Sequence, residues 1–182
     1  PPAVSAEALA VFARAYRKLL WSQRSQMFLD VDIKTGRQLP VHTLMGLMAI
    51  YAGVVDVQTA AMMLRAYEAR SRGCRMLPSV PPDQPRFESS RYHRGPVWIQ
   101  SNWMAARGLE DLGLIDEARA LADATIELVR ESGCYEYYDA YSGKPAGASD
   151  FSWTAALTLD LLHRPIGHKP NSRKREMGSR KR

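Results

Sequence analysis

Cysteine is scarce in this 182-residue sequence, with Cys74 and Cys134 the only two. They form neither a C-x-x-C pair nor a metal-spaced set, so they read as free or buried thiols of a reducing compartment. No zinc site is expected, and a cytoplasmic location is. Long apolar runs are missing as well: nothing approaches the roughly 18 residues of a membrane span, and the N-terminus carries no signal-peptide pattern. The chain opens on Pro1-Pro2 without an initiator Met, which points to a piece of something longer. Chemical signatures are also absent. There is no Gly-rich phosphate loop, no Ser-His-Asp pattern and no H-E-x-x-H. His42, His93 and His163 are scattered, and each is expected to be satisfied or solvent-facing rather than a metal ligand.

Acidic residues are sparse only at the C-terminus. The formal net charge is +6, a value that by itself would point to nucleic acid or a membrane surface. From Arg164 to Arg182, however, eight Lys or Arg face a single Glu, which leaves the body close to neutral. This tail contains Pro165, Gly167, Pro170, Gly178 and the run Arg173-Lys174-Arg175, lacks apolar periodicity, and is expected to be a basic disordered segment over 164–182. Neither a membrane nor nucleic acid is therefore an expected partner. The body, 1–163, is long enough for one globular domain or part of one, with 46% of the whole chain hydrophobic.

What the body does contain is helical periodicity. The spacing predicts six helices, over 5–26, 41–52, 56–70, 96–112, 116–131 and 151–163. The first begins after Ser5 as N-cap and carries the stripe Leu9, Phe12, Tyr16, Leu19 and Leu20. The second, fourth and sixth are apolar nearly all round, the mark of helices buried on more than one side. The third and fifth are amphipathic. The all-apolar helices start near 41, 96 and 151, a period of 55, as in stacked helical hairpins. Two similar turns, Gly53-Val54-Val55-Asp56 and Gly113-Leu114-Ile115-Asp116, supply Gly as C-cap and Asp as the next N-cap.

The remaining connections, 27–40, 72–95 and 134–150, are long. In an antiparallel array they share one face, and loops of this length in a compact domain are usually functional. The pattern predicts an all-α fold with an inner apolar and an outer amphipathic layer, an α/α toroid. Three hairpins make only half of the common six-hairpin ring, and a half ring leaves an apolar seam exposed.

Two of the long loops carry the chemistry. Tyr92-His93-Arg94-Gly95-Pro96-Val97-Trp98 combines aromatic rings with a guanidinium, and Pro96 is expected in the first turn of the helix that follows. Tyr135-Glu136-Tyr137-Tyr138-Asp139, with Tyr141 nearby, places a carboxylate among four tyrosines, and Asp139 heads a turn toward Ser142-Gly143. Rings stack on pyranose faces, Arg donates to hydroxyl or carboxylate oxygens, and a carboxylate among rings suits proton transfer. A plainer reading also fits the spacing: Trp98, Trp103 and Met104 as core, Arg94 as a surface cation and Glu136 as an exposed loop charge.

These residues, with Asn102-Trp103 and Phe151-Ser152-Trp153-Thr154-Ala155-Ala156, resemble the C-terminal half of the catalytic domain of glycoside hydrolase family 63. Phe28-Leu29-Asp30-Val31-Asp32, Thr35-Gly36 and Pro78-Ser79-Val80 extend the resemblance over roughly residues 5–163. It implies an (α/α)6 barrel and an inverting, exo-acting hydrolysis of α-glycosides, with no metal or cofactor. It implies Glu136 as the general base, and Tyr92, Arg94, Trp98, Asn102 and Trp153 as substrate-binding residues. The substrate would be an oligosaccharide or a small α-glycoside. His93 stands where the family usually has an aromatic residue, commonly Trp.

Inversion needs a second carboxyl group about 6.5–9.5 Å from the base. The resemblance puts that acid, an Asp following a Trp, in the N-terminal half, and no Trp here precedes an Asp. The missing half of the barrel is thus an expected partner, and this chain alone is expected to hydrolyse glycosides poorly. The alternative is a non-catalytic helical scaffold or carbohydrate-binding module. A terpene-cyclase-like toroid would want an Asp-rich metal motif, which is absent.

Overall fold

Ser5 caps the first helix as its spacing predicts, its hydroxyl accepting from the Ala8 amide at 3.1 Å. That helix, α1, spans Ala6–Leu20 and is followed by a tight hairpin, not by the further turn and a half of helix expected to residue 26. Its strands, β1 (Trp21–Ser22) and β2 (Met27–Phe28), are antiparallel. The reason is burial: Met27 and Phe28 enter the core, and Tyr16 and Trp21 pack on the Phe28 ring at 5.0 and 5.1 Å. The computed structural model describes residues 5–168.

The second helix is shorter than 41–52. Residues 41–43 are not helical, and helix begins with a 3-10 turn, Leu44–Leu47, leading into α2, Met48–Tyr51. Contacts between loops hold the backbone here: the Leu44 amide donates to Ser79 O at 2.9 Å and the His42 amide to Gln84 Oε1 at 3.1 Å. Nor is this segment apolar on all sides in effect, since Leu44, Leu47 and Ile50 are buried while Met45 and Tyr51 are exposed.

The other helices fall close to expectation. They are α3 (Val57–Arg70), α4 (Ile99–Asp111), α5 (Ile115–Ser132) and α6 (Ser152–His163). Asp56 caps α3 through the Thr59 amide at 2.8 Å. Gly53 and Gly113 have φ of 66° and 82°, the left-handed geometry that ends a helix. Asp116 is no cap: the flanking position is Leu114, and Asp116 lies in the first turn of α5, where the helix dipole favours negative charge. Pro96 likewise lies outside α4, because Val97 is extended and bridges Tyr138.

The third long loop is not irregular. Strands β3 (Tyr135–Tyr138) and β4 (Pro145–Ser149) form an antiparallel hairpin with a register shift between Tyr135 and Tyr137. Helix α4 packs against α2, α5 and α6 around the main core. A second apolar cluster, Met76, Val97, Ile99, Leu128, Val129 and Tyr138, lies beneath the hairpin and seats it on α4 and α5.

Two edges stay uncovered. On α1, Leu9, Phe12 and Leu19 of the predicted stripe are exposed; on α6, Trp153, Leu159 and Leu162 are exposed while Leu161 is buried. Helix α6 is apolar all round, yet half of it lacks cover. The packed body also runs past 163. Ile166 is buried, Arg107 donates to Arg164 O at 2.8 Å, and the Gly167 amide donates to Glu110 at 2.8 Å. The rest of the expected tail, including Arg173-Lys174-Arg175, lies outside the described residues. Within the described residues no helix is long and apolar enough to cross a membrane.

Candidate active site

The long loops converge as the antiparallel array requires. The loop before α2 meets the one before α4 through His42–Gln84 and Leu44–Ser79. That second loop is laced to the β3–β4 hairpin: Val97 and Tyr138 exchange both backbone hydrogen bonds (2.8 and 3.0 Å), the Ala140 amide donates to Ser89 O at 2.9 Å, and the Arg75 amide to Ala140 O at 2.8 Å.

On this frame Tyr92 and Glu136 meet. The Tyr92 hydroxyl donates to Glu136 Oε1 at 2.9 Å, and the Ala148 amide donates to Oε2 at 3.2 Å, so both carboxylate oxygens are held. Tyr92 has φ of 30°, the left-handed region that costs a bulky residue energy and persists only where surroundings enforce it. Trp98 contributes to that enforcement by donating its indole N–H to Tyr92 O at 2.9 Å. The hydrogen bond to Glu136, with smaller contributions from desolvation and the carboxylate charge, pushes the Tyr92 phenol above its ordinary pKa, so it stays a donor at neutral pH. Gly147 makes room: its φ is 74°, and a Cβ there would lie 2.5 Å from Glu136 Oε2.

The rings are stacked on one another. Trp98 lies near parallel to His93 (5.5 Å, 26°) and to Tyr137 (5.2 Å, 29°), and meets Tyr92 edge-on at 5.0 Å. It is only 5% exposed, whereas Tyr92 is 45% exposed. The exposed part of the stack is therefore made by Tyr92 and His93, with the Trp98 ring beneath. Arg94 pairs with Glu88, and the Glu88 amide donates to Arg94 O at 2.7 Å, fixing the guanidinium beside the cluster.

Asn102 is placed differently from the surface role implied for it. It is 0% exposed, and its amide donates to Leu77 O (2.9 Å) and Trp98 O (3.0 Å) while accepting from the Leu77 amide (3.2 Å). It holds the backbone of Trp98 instead of facing a pocket. Trp153 is exposed in the first turn of α6, where with Gln100, Trp103, Met104, Ala156 and Leu157 it lines an apolar cleft of about 300 Å³ between α4 and α6.

His42 is buried, with Nδ1 on Gln84 and Nε2 unpartnered among the described residues; burial, and then the Arg70 charge, lower its pKa. His93 and His163 are exposed. Among the described residues no three His, Cys, Asp or Glu side chains gather as a metal-holding group. Sequence reasoning missed Gly147 and Ser89. Nothing in Ala146-Gly147-Ala148 or Ser89-Ser90 marks them, because their partners lie across the fold.

The model of the mannosylglycerate hydrolase MGH1-like glycoside hydrolase domain matches residues 5–154. The chain belongs to this family. It is 37% identical over 141 residues to the mannosylglycerate hydrolase of a Thermus thermophilus strain, covering 77% of this chain and 34% of that protein. The crystal structure of a glycoside hydrolase family 63 mannosylglycerate hydrolase from Thermus thermophilus, in complex with Tris and D-glycerate, superposes with a TM-score of 0.80. That superposition has 34% identity over 86% of this chain and 38% of that one. Neutral trehalase Nth1 from Saccharomyces cerevisiae, 20% identical, shares the fold alone, with a TM-score of 0.67 over 85% of this chain. The chain thus spans about a third of the length of its curated relative.

Proposed function

We propose that this chain is the base-bearing part of an inverting α-glycosidase, with Glu136 as the base that activates water, Tyr92 and Arg94 in the wall of the sugar subsite, and Trp98 backing that wall from beneath. The observation that carries the reading is the Glu136 carboxylate, held at both oxygens by Tyr92 and Ala148 beside a stack of rings. A base must be within hydrogen-bond reach of the water it activates and must be held there. Trp153 lines the apolar cleft between α4 and α6, while Asn102 acts by fixing Trp98.

The three helical hairpins form half of an (α/α)6 ring on this reading. The uncovered faces of α1 and α6 are where the rest of the ring packs, since α1 exposes four large apolar side chains and α6 three on edge helices. The acid comes from that other part. The neighbouring carboxylates are committed, Glu88 to Arg94 and Asp139 to Ser89 and Ser142, so neither is free to protonate a leaving group. That same commitment favours a second reading, in which the cluster grips a sugar and cleaves nothing.

Mannosylglycerate is the substrate to try first, given the relatives' names. In the longer protein, Glu136→Gln is expected to lower kcat at least a hundredfold while leaving substrate binding within a few-fold, as loss of a general base does. An unchanged rate would sink the catalytic reading and leave the binding module. The 182-residue chain alone is expected to turn over little or nothing.

A further inference from the structure

We propose that Ser89 and Asp139 are positioning residues that set the contact between Tyr92 and Glu136. The inference rests on Glu136 being the base. Asp139 lies three residues after Glu136, and Ser89 three before Tyr92. The Ser89 hydroxyl donates to Asp139 Oδ2 at 2.5 Å, so the two segments, 89–92 and 136–139, are pinned to each other at both ends: Ser89–Asp139 at one, Tyr92–Glu136 at the other. Next to the first pin the Ala140 amide donates to Ser89 O at 2.9 Å.

The division of labour within the Asp139 carboxylate separates this role from that of an ordinary turn. Oδ1 alone organises the hairpin turn, accepting from the amides of Tyr141 (3.1 Å) and Ser142 (2.8 Å) and from the Ser142 hydroxyl (2.8 Å). Oδ2 is not needed for that and reaches across to the other loop. Burial pushes the Asp139 carboxyl up, but the hydrogen bonds from Ser142, Ser89 and Tyr141 outweigh it and hold the group below its ordinary pKa, so it is a charged acceptor.

Besides the Trp98 indole on Tyr92 O and the packing of the ring against Trp98 and Tyr137, the bonds of the loop beside Tyr92, Arg91 amide to Glu88 O and Arg94 amide to Arg91 O, stay within the loop. With φ in the left-handed region, Tyr92 keeps its place only while the loop is over-determined. Removing the Ser89 bond lets Tyr92 drift relative to Glu136, and misplacement by a fraction of an ångström is costly for a reacting group.

The test uses the longer protein that carries this chain, with mannosylglycerate as substrate. Ser89→Ala is expected to lower kcat about tenfold, the scale of one hydrogen bond to a charged group, with KM within about twofold. Ser89→Thr, which keeps the hydroxyl, restores kcat to within about twofold. In a Tyr92→Phe background, Ser89→Ala has no further effect beyond about twofold, because both act on one contact. Spectroscopic titration of the Tyr92 phenol, read as the difference from Tyr92→Phe, moves down toward its ordinary value in Ser89→Ala, a shift that loss of fold stability alone does not give.

The latch is refuted if Ser89→Ala leaves kcat and the Tyr92 titration unchanged, or if its effect multiplies independently with that of Tyr92→Phe. Should Ser89→Ala disturb folding, Asp139→Asn carries the same expectations, since it keeps Oδ1 and discharges the Oδ2 position. Failure here with Glu136→Gln still inactive removes the latch alone. An active Glu136→Gln removes the base, and the Tyr92 titration still reports on the latch.

Discussion

Replacing Asn102 by Ala removes three hydrogen bonds from a side chain that is 0% exposed. Two of the groups left behind, the amide and carbonyl of Leu77, have no other hydrogen bond among the described residues, and Leu77 is itself buried. Trp98 O fares better, because it still accepts from the backbone amide of residue 102 at 3.3 Å. Each buried backbone group left unpaired costs about 1–3 kcal/mol, so the expected loss is about 2–5 kcal/mol. Urea denaturation, compared between parent and variant, measures it. Asn102→Asp sharpens the test. It is nearly isosteric, so a packing argument predicts a small effect. It replaces the donor to two carbonyls with a carboxylate oxygen, so the hydrogen-bond argument predicts a loss at least as large as that of Ala. A loss below about 1 kcal/mol in Asn102→Ala, or an Asp variant milder than the Ala variant, would refute the reasoning.

Further outcomes are expected elsewhere. Gly147→Ala combines a strained φ of 74° with a Cβ 2.5 Å from Glu136 Oε2; steady-state kinetics should show kcat falling about tenfold or more, with about 1–2 kcal/mol lost in stability. Arg107 is 7% exposed in its side chain and bonds Asp160 Oδ2 at 2.7 Å, so Arg107→Met, which leaves that carboxylate to Trp103 and Arg164, should cost about 1–3 kcal/mol by urea titration. Burial pushes the Asp160 carboxyl up, but bonds from Arg107 and Trp103 outweigh it and hold it low. The stability it contributes is therefore full above the unfolded value near 4 and is lost as pH falls through the lower folded value, and acid titration of Arg107→Met should show that dependence weakened. Cys74 has its thiol pushed up to about 11 by burial and then by the Asp139 charge, so alkylation at pH 8 should be slow and should accelerate on unfolding; a fast native rate contradicts this.

How much of the site was legible in the sequence follows from what is local. Ser5, Asp56, Gly53 and Gly113 act on neighbours a few residues away, and their roles are written in spacing. The periodicity located α3, α5 and α6 within a residue or so because each buries a continuous stripe. It overran at 21–26 and at 41–43, where Trp21 packing on Phe28 across a tight hairpin and Leu44 bonding Ser79 of a distant loop overrode the local helical pattern. The hairpin of Tyr135–Tyr138 with Pro145–Ser149 was hidden for the same reason, since one of its strands is completed by Val97.

The sequence by itself determined the helical class, the family and the two aromatic segments, 92–98 and 135–139, that the fold brings together, because stripes, caps and motif residues are properties of the chain order. Only the tertiary structure decided which atoms meet. It set Tyr92 on Glu136, laid Trp98 against Tyr92 and His93 with little of its ring exposed, drew Asn102 inside, and joined Ser89 to Asp139 across 50 positions of chain. Such contacts depend on how one loop is packed against another, and no local periodicity encodes that.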